Sequence, residues 1–310
     1  MIPIKDMNPT RRFSYLTAII IILNVYVFVL QLSLEGDEQE FFYFNHSVIP
    51  KCFIASFQGA DAYDSAIEET KSALAKAMFR RELLSKYQGR LMRTDRLRQM
   101  ESEIRDIVDE KVQRGVFGLK GLPAEIWSLF SSMFIHGSIM HLIGNMWFLW
   151  IFGNNIEDVL GVFKFILFYL VCGIFAGFGH IILSMDSLIP TIGASGAISG
   201  VLGAYLLFFP HARILTFIPI GWFLWMEDLP AYIFLGYWIL IQILFASFSN
   251  PLLRGGGGVA WFAHIAGFAA GVLFVIFFER RKAVLLGQKE GESVVRIVNK
   301  DEEEDDEFSD

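Results

Sequence analysis

Six predominantly apolar runs divide the chain, at approximately residues 13–32, 139–152, 163–183, 189–209, 229–248 and 259–278. A helix needs about 20 such residues to cross a bilayer core, so each run predicts a membrane-spanning helix. The second is short, and Met133, Phe134 and Ile135 extend it back toward Ser131. Between the first two runs the pattern changes. Residues 61–115 mix acidic and basic side chains and place Leu74, Met78, Leu97, Met100, Ile104 and Val108 at helical spacing. This predicts one or two amphipathic helices with a break near Gly89, opened by Ser65 and Glu68 as a capping box. Beyond Phe278 the chain turns polar and closes on the acidic run Asp301–Glu307, a composition that predicts disorder. The expected organisation is a cytoplasmic N-terminus (1–12), a first span (13–32), and an outer loop (33–126) with a charged helical insertion at about 61–118. A core of five further spans (127–282) and an acidic disordered tail (283–310) complete it.

Composition supports a membrane protein. Hydrophobic residues make up 54% of the 310 positions, above the roughly 45–50% of a soluble domain. The net charge of -7 resides in the acidic tail, which leaves a nearly neutral body and no electrostatic footprint for nucleic acid. Basic residues set the direction of the spans. Arg11 and Arg12 precede the first, Lys164 follows the second, Arg213 the fourth and Arg280, Arg281 and Lys282 the sixth. Both termini are therefore expected in the cytoplasm of a multi-pass protein, with a bacterial inner membrane as the expected location. Cys52 and Cys172 are too few for a disulfide framework.

Polar residues inside spans are costly and mark function by default. The fourth run carries Gly193-Ala194-Ser195-Gly196 and the sixth Ala263-His264-Ile265-Ala266-Gly267. Ser195 and His264 each lie a few residues from the outer end of their run, hence at matching depth. Gly196 and Gly200 on one run, with Gly267 and Gly271 on the other, form small-residue faces that let two helices approach closely in lipid. Packing those faces predicts a Ser195–His264 dyad in which the imidazole takes the serine proton during attack on a carbonyl. No Asp or Glu lies in the outer half of any span to orient the histidine, so a dyad is expected and not a triad. His141 and Asn145, four residues apart on the second run, share a face. They can offer N–H groups to an oxyanion together with the backbone N–H of Ser195. Taken singly, Ser195 is a helix-packing residue and His141 and Asn145 are interhelical hydrogen-bonding groups; the matched depth favours catalysis. Ser199 is read as a backbone-bonding or cavity residue, His136 as a support of the helix entrance, His180 and His211 as interfacial, and Cys172 as core. No HExxH motif or pair of intramembrane aspartates is present, and neither metal nor cofactor is expected.

These motifs resemble the rhomboid family of intramembrane serine proteases. Gly193–Gly196 is similar to its GxSG, the His264 segment to its AHxxGxxxG, and His136–Asn145 to its HxxxxHxxxN. Gly153–Asp158, Phe209–Arg213 and Pro230–Trp238 add to the likeness. The resemblance implies an all-α, six-transmembrane-helix bundle and a Ser195–His264 dyad. It also implies an oxyanion site of His141, Asn145 and the backbone of Ser195 and Ala194. It further implies cleavage of single-span membrane proteins near the outer end of their helix, with the fifth span or the cap after it as a lateral gate. Lipids and such substrates are the implied partners. Two departures stand out. Trp127 is followed by Ser128 where the family often has Trp-Arg, and nothing carries over onto the insertion, whose partner is unknown. A non-catalytic member that binds transmembrane helices for trafficking or quality control is the alternative reading.

Overall fold

The computed structural model describes residues 1–34, 36–87, 94–113, 121–220, 223–248, 259–278, 282–285 and 295–298. The expected break near Gly89, the glycine-rich Gly255–Gly258 and the acidic run lie outside these residues.

The fold is largely helical and membrane-associated. Strand β1 (Ile2–Asp6) leads into α1 (Tyr15–Ser33), followed by α2 (Asp37–His46), α3 (Pro50–Gln58), α4 (Ala60–Tyr87), α5 (Thr94–Gln113) and α6 (Leu122–Ser131). Then come α7 (Ile139–Phe148), α8 (Asn154–Leu160), α9 (Val162–Leu183), α10 (Ser195–Phe208), strands β2 (Arg213–Ile220) and β3 (Phe223–Pro230), α11 (Ala231–Ser247) and α12 (Trp261–Phe278). Each of the six apolar runs thus contains a helix. Among the described residues, α1 and α9 are each long and apolar enough to cross a bilayer, and the pair Leu122–Phe134 and Ile139–Leu160, bent by 80°, makes a third candidate. Helices α10, α11 and α12 are shorter apolar helices. Large apolar side chains such as Ile22 and Val29 of α1 and Leu167 and Phe175 of α9 are exposed, as a lipid-facing surface requires.

The core joins the apolar helices around fully buried Leu149, Phe152, Phe168, Tyr169, Leu202, Tyr205 and Phe234. The second run departs from its predicted extent. Its helix starts at Ile139, because Ser138 caps it by accepting the His141 N–H at 3.1 Å. It continues instead at the other end, through a π-turn at Leu149–Gly153 into α8.

The N-terminus is tied to α8 by polar contacts. No side chain of its own caps α1. Glu157 of α8 supplies the acceptors, taking the N–H groups of Leu16 at 2.9 Å and Thr17 at 2.7 Å and the Thr17 hydroxyl at 2.7 Å. A buried carboxylate at the positive end of a helix dipole is well placed. Glu157→Gln turns donors toward donors, and we expect it to lower stability by about 1–3 kcal/mol, measured as loss of thermal resistance in detergent.

Two small sheets depart from the all-α expectation. In the first, β1 pairs antiparallel with β2 and β2 with β3. The β2–β3 segment is rich in β-branched and aromatic residues, which suit a hairpin. In the second, β4 (Lys282–Leu285) pairs with β5 (Val295–Val298) within the polar tail. The first sheet buries Asp6, whose Oδ2 accepts from the Tyr205 hydroxyl at 2.9 Å and from the Asn155 amide. Burial pushes the Asp6 carboxyl up to about 6 from 3.8, against the opposing pull of those two hydrogen bonds. The folded state therefore keeps a proton between these values that the unfolded chain has lost, so this group's contribution to stability falls as pH rises from about 4 to 6. The slope is at most about 1.4 kcal/mol per pH unit. Asp6→Asn retains an acceptor at the same place, and its unfolding profile is expected to lose that slope.

The described residues of the charged segment form two helices packed on each other. Helices α4 and α5 enclose Ala75, Met78, Ile104 and Val108 with Phe41 of α2, and Lys71 bridges Glu68 at 2.6 Å and Asp109 at 3.4 Å. Helix α4 begins at Ala60, after Gly59 at φ +118°. Ser65 lies in its second turn, so the expected capping box is not the start of the helix.

Candidate active site

The first constraint is the start of α10. The apolar run begins near Ile189, yet the helix begins only at Ser195. Gly193 has φ +119°, a conformation an L side chain rarely adopts, and the chain before it is not helical. Ser195 therefore sits in the first helical turn and not deep within a helix. There the leading backbone N–H groups have no intrahelical acceptor and point along the positive end of the dipole. Ala194 is the N-cap residue and is fully buried.

The GASG turn packs directly on α7. A Cβ on Gly193 would lie 2.8 Å from the His141 imidazole and 3.6 Å from the Asn145 amide nitrogen. Glycine is required here on both conformational and steric grounds. Asn145 is held in turn, its Nδ2 lying 2.9 Å from His136 Nε2. His136 is fully buried, and its backbone is clamped by Gln31, which accepts its N–H at 3.2 Å and donates to its carbonyl at 3.0 Å. His136 thus connects the end of α1 to Asn145.

Helices α10 and α12 meet backbone to backbone. A methyl on Gly267 would overlap the carbonyl oxygen of Gly196, and one on Gly271 that of Gly200. Gly196 faces Ala176 and Gly200 faces Cys172, so closely that a Cβ added to either glycine would lie 2.5 Å from the facing side chain. Helix α9 thereby packs on the same seam.

Between α7, α9, α10, α11 and α12 lies a cavity of about 950 Å³. His141, Asn145, His180, Ser195, Ser199, Trp238, Trp261 and His264 all line it. Ser199 donates to the Ser195 carbonyl at 2.6 Å. His180, expected at the interface, borders this cavity, while His211 is exposed beside Tyr232. Cys172 is wholly buried. Among the described residues no hydrogen bond joins Ser195 to His264, and no group of His, Cys, Asp or Glu is arranged to hold a metal ion.

The imidazole of His264 has a different partner, which sequence reasoning missed. Its Nδ1 lies 2.7 Å from Oε1 of Gln242 on α11. The signal is present in the sequence: Gln242 is an amide in a largely apolar run, and an amide oxygen can orient a histidine as a carboxylate does.

A family model described as the Rhomboid domain matches residues 123–281, just over half of the chain. The chain belongs to the rhomboid family. Its curated relatives include Rhomboid protein 1, mitochondrial, of Saccharomyces cerevisiae, 32% identical over 151 residues, which are 47% of this chain and 40% of that protein. RHOMBOID-like protein 6, mitochondrial, of Arabidopsis thaliana is 34% identical over 152 residues, 47% of this chain and 42% of that one. Presenilin-associated rhomboid-like protein, mitochondrial, of Mus musculus is 35% identical over 92 residues, 29% and 24% of the two chains. The chain spans about two-fifths or less of the length of these relatives.

Proposed function

We propose that this protein is an intramembrane serine endopeptidase that hydrolyses peptide bonds in or near transmembrane helices, with Ser195 as nucleophile and His264 as general base. One observation carries the reading: a hydroxyl, an imidazole and two N–H donor side chains from α7, α10 and α12 line one cavity in a chain of the rhomboid family. Ser195 Oγ bonds to the scissile carbonyl carbon as its proton passes to His264 Nε2. The resulting oxyanion takes hydrogen bonds from the Ser195 backbone N–H and from His141 and Asn145, with the Ala194 backbone adjacent. His264 then returns the proton to the departing amine, and water releases the acyl group by the reverse sequence. These steps use side chains and water alone. A transmembrane helix satisfies its own backbone, so the substrate is cleaved where small or helix-breaking residues let it open. Single-span membrane proteins are the substrates this chemistry fits. Six spans with both termini cytoplasmic complete the reading, which the basic residues near Lys164, Arg213 and the N-terminus support.

The missing Ser195–His264 hydrogen bond favours a second reading, a non-catalytic rhomboid-like protein that binds transmembrane helices. A fluorophosphonate probe separates the two. Covalent labelling of Ser195 that is lost in His264→Ala establishes an activated serine, and an unlabelled Ser195 in the folded wild type leaves the binding reading.

A further inference from the structure

Gln242 lies on α11, one helical turn beyond Trp238, and is buried although it is an amide in a membrane helix. Such a group must spend its hydrogen bonds on protein. Its Nε2 donates to the Trp238 carbonyl at 3.3 Å, so its Oε1 is the atom turned to His264 Nδ1 at 2.7 Å. A carbonyl-type oxygen only accepts, which requires the proton to be on Nδ1 and leaves the lone pair on Nε2. The Trp238 ring lies 5.9 Å from the imidazole, centroid to centroid at 34°, and Trp261 meets it edge-on at 6.3 Å. The ring is thus held from two sides while one amide fixes its tautomer.

We infer that Gln242 is a positioning residue for the base, filling by a neutral hydrogen bond the orienting role a carboxylate plays in a serine triad. The inference rests on the protease reading. It differs from a bare dyad in a specific way: the histidine is registered to α11, not to the helix that carries the nucleophile. An amide also suits the setting. Among the described residues, none that lines the cavity is Asp, Glu, Lys or Arg, and the titratable groups that share it with His264 are His141 of α7 and His180 of α9. A charged partner would be unsolvated there, whereas an amide orients the ring without burying a charge.

The test uses the full chain in liposomes with a single-span model substrate. In Gln242→Ala, kcat is expected to fall at least about tenfold with KM changed less than about twofold, because the group lost acts on the base and not on substrate. In the near-isosteric Gln242→Glu, which keeps an acceptor oxygen facing Nδ1, kcat is expected to stay within a few-fold of wild type. Nitrogen NMR of labelled histidine in a Ser195→Ala background reads the tautomer without proteolysis. The Nδ1–H form is expected with Gln242 present and a tautomer mixture in Gln242→Ala. A wild-type kcat in Gln242→Ala, a loss confined to KM, or an unchanged tautomer would overturn the inference. A tautomer that responds to Gln242 in a chain that cleaves nothing would uphold the positioning and reject the protease reading.

Discussion

Ser195→Ala and His264→Ala are each expected to reduce cleavage of a single-span substrate at least about a thousandfold, and the double variant no further. In the proposed mechanism the two side chains act in one step: without the base the hydroxyl stays protonated and weakly nucleophilic, and without the hydroxyl the base has no proton to take. Removing either therefore removes the same increment of transition-state stabilisation. Initial rates in liposomes measure the loss, and an unchanged thermal unfolding profile shows that the fold is retained. Both substitutions shorten a side chain that borders a cavity and leave the α10–α12 seam intact, so the loss belongs to chemistry. Additive losses would mean that the two residues act separately, and a rate near wild type in either variant would remove it from the reaction.

The second large effect is structural. Gly271→Val is expected to yield little folded protein, or protein destabilised by at least about 1–3 kcal/mol. A Cβ at that position meets three backbone atoms of Gly200, its carbonyl carbon and Cα at 2.6 and 2.8 Å and its oxygen closer still. No rotamer change relieves a clash with backbone, so α10 and α12 must separate, and with them the elements that carry Ser195 and His264. Gly236→Ala in α11 is the control. Its Cβ meets nothing within 4 Å, and alanine in a helix interior is expected to be neutral or stabilising by up to about 1 kcal/mol. Yields after purification and unfolding in detergent separate the two variants, and equal behaviour would mean that the seam tolerates a side chain at position 271.

The pattern of the chain was informative where physical chemistry is local. Apolar length marked where the helices form, and small-residue spacing marked Gly196, Gly200, Gly267 and Gly271, positions where any Cβ would meet a neighbouring helix. Ser195, His264, His141 and Asn145, the polar residues singled out within the apolar runs, are found around one cavity. Reading the fourth run as helix from about residue 189 misplaced the beginning of α10, because a positive φ at Gly193 is a property of the turn and not of hydropathy. The capping box at Ser65 failed for a related reason: Gly59 lets the chain turn into α4 before Ser65 is reached.

The order of residues was enough for an inventory: six apolar runs, a charged segment of helical periodicity, and a serine, two histidines and an asparagine within the apolar runs that need an explanation. The partnerships came only with the packed fold. Strand β1 has only five residues and finds its pairing partner more than 200 positions away in β2. Glu157 caps a helix 140 residues earlier, His136 steadies Asn145, and Gln242, not a carboxylate, meets His264. Hydropathy and helical periodicity report how a residue suits its own segment. A hydrogen bond between segments depends on which faces the packed helices turn toward each other, and that is set only when the whole bundle closes.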